Sequence, residues 1–161
     1  ALTLVSQGIK TATYFKNQTT AFYLATEAIE YVRNRRDSYN ISYTRGVPGS
    51  WSWNDFKSYM DNGGNKCFDN TKGCIIDATI PDADPDDNGV EKCTGAGCPV
   101  LKNNNGLYGY RATGIDTIFV RKVQLIDIDP ARELKIEVDV SWANRFGNQT
   151  FILKENLFSW E

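Results

Sequence analysis

Apolar residues over the first forty positions recur at the spacing of an α-helix. One stripe, with members three, four or seven positions apart, consists of Phe15, Phe22, Ala25, Ile29 and Val32. A second stripe, displaced by about 100° around the helix axis, consists of Tyr14, Ala21, Leu24, Ala28 and Tyr31. A single glycine and no proline lie within the pattern, which therefore predicts one continuous helix over residues 1–38.

This helix is longer and more apolar than a small domain requires. At about 1.5 Å per residue it would reach about 55 Å, whereas helices in globular proteins average about 11 residues. The two stripes form a wider apolar face than one packed surface needs, so we expect a second contact, most simply with other copies of the helix. Burial of the whole helix in one large core is the alternative.

Both ends of the helix are informative. Upstream of a polar interval at residues 16–20, apolar residues return without a preceding capping residue, at Leu2, Leu4, Val5, Ile9 and Ala12. We therefore expect a further hydrophobic segment before Ala1. At the other end, Arg33, Arg35 and Arg36 would complement the negative end of the helix macrodipole. Salt bridges and contacts with phosphate groups are the alternatives for these arginines.

The C-terminal third of the chain alternates with the period of two that is typical of a β-strand. Over residues 133–142 the apolar positions are Leu134, Ile136, Val138, Val140 and Trp142, and the polar ones are Glu133, Lys135, Glu137, Asp139 and Ser141. Turn-forming residues at 129–132 and 144–148 separate this strand from segments 117–128 and 150–160. We expect an antiparallel β-meander of three to four strands, with the second half of the helix covering its apolar face.

The segment between helix and meander, residues 39–116, is rich in Gly, Asn, Asp and Pro. We expect a short helix at residues 53–60 with Asn54 as its cap. The nearby aromatic cluster comprises Trp51, Trp53, Phe56 and Tyr59. It could form an exposed surface that binds a sugar, a base or another subunit, but we favour a buried cluster that pins this segment to the sheet.

Composition agrees with one α+β domain. The chain has 161 residues, 41% of them hydrophobic and 12% aromatic, which can supply a core. A net charge of −2 with interspersed signs does not predict a nucleic-acid surface. The sequence contains no histidine and no phosphate-binding glycine loop, so it does not predict an enzyme.

The four cysteines indicate an oxidising compartment. Cys67 and Cys74 flank one short loop, and Cys93 and Cys98 flank another. We interpret them as two local disulfides, although four cysteines permit three pairings and the sequence does not choose among them. A zinc site is the weaker interpretation, because histidine is absent and neither spacing is that of a zinc knuckle. Disulfides would place the folded domain outside the cytoplasm.

An acidic segment resembles the opening of a calcium loop. Oxygen ligands would come from Asp84, Asp86, Asn88 and the Val90 carbonyl, with Gly89 at the turn. The position of the final bidentate glutamate is occupied by Gly95, so Asp77, Asp82 or Glu91 would have to supply another carboxylate. A solvated acidic turn without a metal is the alternative, and Ca²⁺ is the one cofactor that we consider.

Three parts of the sequence together resemble a known family. The helix segment NQTTAFYLATEAIEYVRNRRD, the tract GLYGYRATGIDTIFVRKVQL with the strand EVDVSW, and the final LFSW resemble bacterial type IV pilins, most nearly PilV-like minor pilins and pseudopilins. The resemblance is weak over residues 41–100. The prepilin cleavage site and the apolar stretch that follows it in this family are absent, and we expect them upstream of Ala1.

The resemblance implies a fold and a function. It implies a type IV pilin fold: a stalk helix (residues 1–38), a disulfide-bearing connecting loop (39–116) and a β-meander (117–161). The helix would anchor the subunit in the inner membrane and later pack against other pilin subunits in an extracellular pilus or pseudopilus. Phe22 and Ile29 would then face the sheet, and Leu24 and Tyr31 neighbouring helices, although periodicity does not settle which stripe does which. A secreted module for calcium-dependent binding or adhesion, recognising a glycan or surface through Trp51, Trp53 and the acidic segment, is the alternative function.

Overall fold

A computed structural model describes residues 2–44, 52–61, 64, 66–80, 89–111, 113–144 and 147–159, with side chains in the first helix at residues 8 and 11–41. These residues form two helices and seven strands. The elements are α1 (Leu2–Thr44), α2 (Trp53–Asp61), β1 (Cys74–Ile76), β2 (Val90–Lys92), β3 (Val100–Asn104), β4 (Leu107–Gly109), β5 (Ile115–Asp129), β6 (Glu133–Asn144) and β7 (Gly147–Phe158). The predicted α+β class is confirmed.

All seven strands belong to one antiparallel sheet, which is larger than the predicted three to four strands. The meander of β5, β6 and β7 is present as expected. On its other side β5 pairs with β3, which continues to β4, and with β1, which continues to β2. These four added strands have only three to five residues each, too few to show a period of two in the sequence.

The alternation in β6 was predicted correctly. All five apolar positions from Leu134 to Trp142 are buried, and the intervening side chains are partly exposed. On the outer face Lys122 pairs with Asp139 at 2.9 Å, and Lys154 pairs with Glu137 at 2.9 Å. The inner face packs under α1, so one side of the sheet is core and the other is polar.

The end of α1 and the capping residue of α2 differ from the prediction. Helix α1 continues past Ser38 to Thr44, because Tyr39 packs on α2 with its ring 6.3 Å from that of Phe56. Tertiary packing therefore overrides the modest helix propensity of this segment. Helix α2 begins at Trp53 and its cap is Ser52, not Asn54: the Ser52 amide donates to the Asp55 carboxylate at 2.7 Å.

Candidate functional site

Burial of α1 side chains changes along the helix axis as well as around it. The buried apolar residues come from both predicted stripes: Ala21, Leu24, Ala25, Ala28, Ile29 and Val32. Leu24, which we assigned to one of two stripes without settling which of them faces the sheet, is only 3% exposed and packs in the core. Phe22 is 44% exposed and is not a core residue. Because the two stripes lie only about 100° apart, the sheet and α2 together cover both of them.

Upstream of Ala21, no described side chain of α1 is buried. Four exposed aromatic side chains nevertheless lie on this part of α1 and on the two positions after Ala21. We call them the aromatic surface: Tyr14, Phe15, Phe22 and Tyr23. Phe15 is 60% exposed and Tyr23 is 65% exposed. The rings associate in neighbouring pairs, with centroids 5.9 Å apart for Tyr14 and Phe15 and 5.7 Å apart for Phe22 and Tyr23.

Contacts between α1 and β7 give the register of the helix on the sheet. Phe22 meets Phe151 at the upstream end, and Arg36 donates to the Phe158 carbonyl at the downstream end. Fourteen helical residues span about 21 Å and seven strand residues about 23 Å, so the helix and the strand run side by side in the same direction. If this register is extended to Gly147, the first residue of β7, the strand begins beside about residue 13 of α1. The helix continues upstream of that point.

The side chain of Tyr31, a residue of α1, contacts α2. Its predicted role in contacting neighbouring helices is not supported. Its hydroxyl is 3.1 Å from the Tyr59 hydroxyl, and the Arg35 guanidinium lies 5.0 Å from its ring centroid. Burial, followed by the hydrogen bond with Tyr59, raises the Tyr31 pKa. Burial also raises the Tyr39 pKa to about 12. This tyrosine cluster joins the two helices.

The three arginines do not compensate the helix dipole, because α1 ends eight residues beyond Arg36 and its last turn contains no basic residue. Arg33 forms a bidentate ion pair with Glu155 on β7, at 2.5 and 2.7 Å, and also pairs with Glu30. Arg36 pairs with Asp37 at 2.6 Å. Salt bridges, the alternative that the sequence left open, therefore describe Arg33 and Arg36 correctly.

The aromatic cluster after α1 is buried where the structure describes it. Trp53 and Phe56 are 2% and 0% exposed, and the Trp53 indole donates to the Pro130 carbonyl at 3.2 Å. Tyr59 is partly buried against the core, and Trp51 lies outside the described residues. The prediction of a buried anchor is confirmed for Trp53 and Phe56, and Trp53 is not available to bind a ligand.

Both predicted local disulfides are present. Cys67 pairs with Cys74, and Cys93 pairs with Cys98. The first is fully buried and joins the core, whereas Cys98 is partly exposed. Asp69 holds the loop of the first disulfide, because its carboxylate accepts bonds from the Thr71 hydroxyl and amide and from the Lys72 amide. These bonds, with the Thr71 hydroxyl first, lower the Asp69 pKa.

Most of the predicted calcium ligands, Asp82, Asp84, Asp86 and Asn88, lie outside the described residues. Val90 and Glu91 are in β2, where the Val90 carbonyl accepts a hydrogen bond from the Lys66 ammonium at 2.6 Å. A cation at this carbonyl would repel Ca²⁺. Among the described residues no group of three or more Cys, Asp or Glu is arranged to hold a metal ion. Calcium binding therefore stays a prediction.

Hydrogen bonds of Asp77 connect the chain before the acidic segment with Gly89 at its other end. Its amide donates to the Gly89 carbonyl at 2.7 Å, and its buried carboxylate accepts bonds from the Thr79 and Tyr110 amides. Gly89 has a φ of +69°, and a Cβ there would lie 2.6 Å from the Asp77 carbonyl, so glycine is required at this position. Because both carboxylate oxygens of Asp77 already accept protein donors, its contribution as a calcium ligand would require these bonds to be exchanged.

The sequence analysis missed Arg121, which is fully buried in β5. Its guanidinium donates to the carbonyls of Leu24 and Ile76 and pairs with Glu27. A signal was present in the sequence: Arg121 has the same parity as the buried residues Phe119, Val123 and Leu125, which predicts that it faces the core.

Comparisons of the chain with protein-family models, with curated proteins and with solved structures found no match. Within the described residues, no helix has a stretch long and apolar enough to cross a membrane.

Proposed function

We propose that this chain is a structural subunit of a type IV pilus or pseudopilus and has the type IV pilin fold. Helix α1 packs against α1 of other subunits, and the sheet faces outward from the filament. The extracellular location agrees with the two disulfides. The long helix against an antiparallel meander, joined by a disulfide-bearing segment, supports the resemblance stated for the sequence.

The aromatic surface is the observation that carries this proposal. Tyr14 lies five turns upstream of Val32 on the same side of α1, because eighteen residues complete five turns. The apolar side that is buried at Val32 is therefore partly exposed at Tyr14. Phe15 and Tyr23 widen this surface to about half of the helix circumference. Exposed aromatic side chains on a helix fit other helices of the same kind, packed side by side.

The test uses cells that make the protein naturally. We expect the chain in the filament fraction that is sheared from the cell surface. Phe15→Asp and Tyr23→Asp should leave the head folded, which is the sheet together with α2 and the covered part of α1. They should remove the subunit from the filament fraction, because a carboxylate would be buried between helices. Ile115→Asp is the matched control, since Ile115 is 79% exposed and lies on β5 opposite Asn103 of β3; this variant should still be incorporated.

Cysteine crosslinking adds a geometric test. Thr19 is exposed on α1 next to the aromatic surface, and Thr150 is exposed on β7. Thr19→Cys should give disulfide-linked dimers in oxidised filaments, whereas Thr150→Cys should not. The proposal is wrong if the chain is found only as a free monomer, or if both aspartate variants enter filaments normally. Specific glycan binding by such a monomer would instead favour the secreted binding module.

A further inference from the structure

Arg121 makes polar contacts that join three elements inside the core. From its position in β5, Nη1 donates to the Leu24 carbonyl at 2.8 Å and to the Glu27 carboxylate at 2.6 Å, both on α1. Nη2 donates to the carbonyl of Ile76, at the end of β1, at 2.6 Å. The arginine side chain is 0% exposed, whereas that of Glu27 is 38% exposed. Arg121 therefore attaches the helix backbone itself to the sheet.

The sequence of α1 explains why its backbone can be reached. Three of the four buried residues in this part of the helix are alanines, at positions 21, 25 and 28. Such short side chains leave the helix close to the sheet and its carbonyls uncovered. A helical carbonyl that already accepts its own i+4 amide retains a second lone pair, which Arg121 uses at Leu24.

The same alanines make apolar packing weak at this place. A buried alanine removes much less apolar surface from water than a leucine or isoleucine, so it contributes less to holding the helix on the sheet. Downstream, the larger Ile29 and Val32 are buried, and Arg33 adds its ion pair with Glu155. The upstream turns, immediately after the exposed part of α1, depend more on the polar contacts of Arg121.

We infer that Arg121 is a positioning residue that fixes the angle at which α1 leaves the head. The contacts of Arg121 with Leu24 and Glu27 lie at the boundary between the uncovered and covered parts of the helix, and the buried side chains of Ile29 and Val32 fix the helix on the sheet further downstream. Two fixed points define the direction of a rigid rod. The consequence, that Arg121 orients the aromatic surface relative to the sheet, rests on the proposed function. The attachment of α1 to the sheet by Arg121, which we call the clamp, does not rest on it.

The test measures helix orientation in the isolated protein. Spin labels at Thr11→Cys on α1 and Ile152→Cys on β7, both exposed positions, report the distance between stalk and head. Arg121→Met keeps most of the side-chain volume and removes every polar contact. Removing one partner of an ion pair is costly when the other charge stays buried, but Glu27 is 38% exposed, so water can solvate its carboxylate in the methionine variant. The Nε atom of Arg121 has no partner in the described part of the chain, which also favours tolerance of methionine.

We expect Arg121→Met to widen the distance distribution and to speed amide exchange at residues 21–28, with exchange at residues 32–40 unchanged. Arg33→Met is the matched control, since it removes a half-exposed ion pair between the same helix and the sheet; it should change neither measurement at the upstream turns. Glu27→Gln should give an intermediate effect, because the two carbonyl contacts of Arg121 remain.

An unchanged distance distribution in Arg121→Met would overturn the inference, and so would equal widening in Arg33→Met. If the methionine variant does not fold, Arg121→Lys replaces it, because one ammonium lacks the planar fork that serves acceptors on two elements. Widening in this variant supports the clamp, and a distribution like that of the unchanged protein contradicts it. Neither measurement needs filaments, so failure of the clamp and failure of the proposed function are distinguishable.

Discussion

Phe22 on α1 and Phe151 on β7 meet edge to face, with 6.0 Å between their ring centroids. This contact marks the place where the helix passes from a buried to an exposed environment. Two positions downstream, Leu24 is enclosed by the core, and seven positions upstream, Phe15 has no sheet residue among its ring contacts in the described structure. The same helix therefore combines a structural half with a half that is available for contacts outside the domain.

Stability and assembly should respond to different substitutions in α1. Leu24→Ala should lower the free energy of unfolding by about 2–5 kcal/mol, because it leaves a cavity between helix and sheet. Phe15→Ala should change it by less than about 0.5 kcal/mol, since an exposed side chain loses little on truncation. Urea denaturation of the two purified variants measures both effects. Similar losses in the two variants would contradict the division of α1 that we describe.

Asp69 should make stability fall at acidic pH. In the unfolded chain its carboxyl has a pKa near 3.8, and in the folded protein the bonds from Thr71, Lys72 and Lys92 lower that pKa. The unfolded state therefore binds the proton more readily, so this contribution is present above about pH 4 and is lost as the pH falls through the folded pKa.

Urea midpoints at several pH values measure this effect. Asp69→Asn should be less stable than the unchanged protein at pH 7, and the difference should shrink toward pH 2. Asp116→Asn serves as the control, because Asp116 is 68% exposed and its contact with Lys102 is long, at 3.8 Å. A constant difference between the Asp69 variant and the unchanged protein from pH 7 to pH 2 would show that the carboxylate charge is not responsible.

The two disulfides should be reduced in a fixed order. Cys67 and Cys74 are both fully buried, whereas Cys98 is partly exposed to a reducing thiolate. A graded series of a small dithiol, followed by alkylation and mass spectrometry, should label Cys93 and Cys98 first. Each bond closes a short loop, worth about 2 kcal/mol in chain entropy, and loss of the buried one should also disturb core packing. Simultaneous labelling of all four cysteines would argue against this order.

The calcium hypothesis predicts a rise in melting temperature with added Ca²⁺. A site with a dissociation constant of about 1 mM would stabilise the fold by about 1.4 kcal/mol at 10 mM Ca²⁺. The combined change Asp84→Asn with Asp86→Asn should remove the shift. Lys66→Gln should enlarge it if the Val90 carbonyl is a ligand, because the competing ammonium is gone. A melting temperature that is unchanged in 10 mM Ca²⁺ leaves only the solvated acidic turn.

Predictions from the sequence succeeded where the pattern was long. Helix α1 and strand β6 each contain enough turns or residues for their periods to stand out, and both were found close to the expected bounds. The β3–β4 hairpin was not predicted from the sequence because its strands are short. Asn105 and Gly106, both with positive φ, nevertheless form the two-residue turn that such a hairpin favours. That dipeptide was a usable signal.

Two further expectations, the cap of α2 and the role of Arg36, were wrong for different reasons. The cap of α2 was misplaced by two residues, since Ser52 and Asn54 are both good capping residues and the bonds that the Ser52 amide and hydroxyl donate to the Asp55 carboxylate select Ser52. The dipole role of Arg36 failed because α1 is extended by packing on α2. The first outcome depended on a residue three positions away, and the second on an element distant in the chain.

The sequence by itself determined the local features of this protein, namely the long helix and the alternating faces of the meander, and it indicated two local disulfides without choosing their pairing. Each depends on residues within about one element, where backbone geometry imposes the period. Only the tertiary structure decided which part of α1 is covered, how four short strands extend the sheet, and that Arg121 reaches Leu24 across 97 positions of sequence. Such contacts arise when separate elements pack, and no local pattern contains the distance between them.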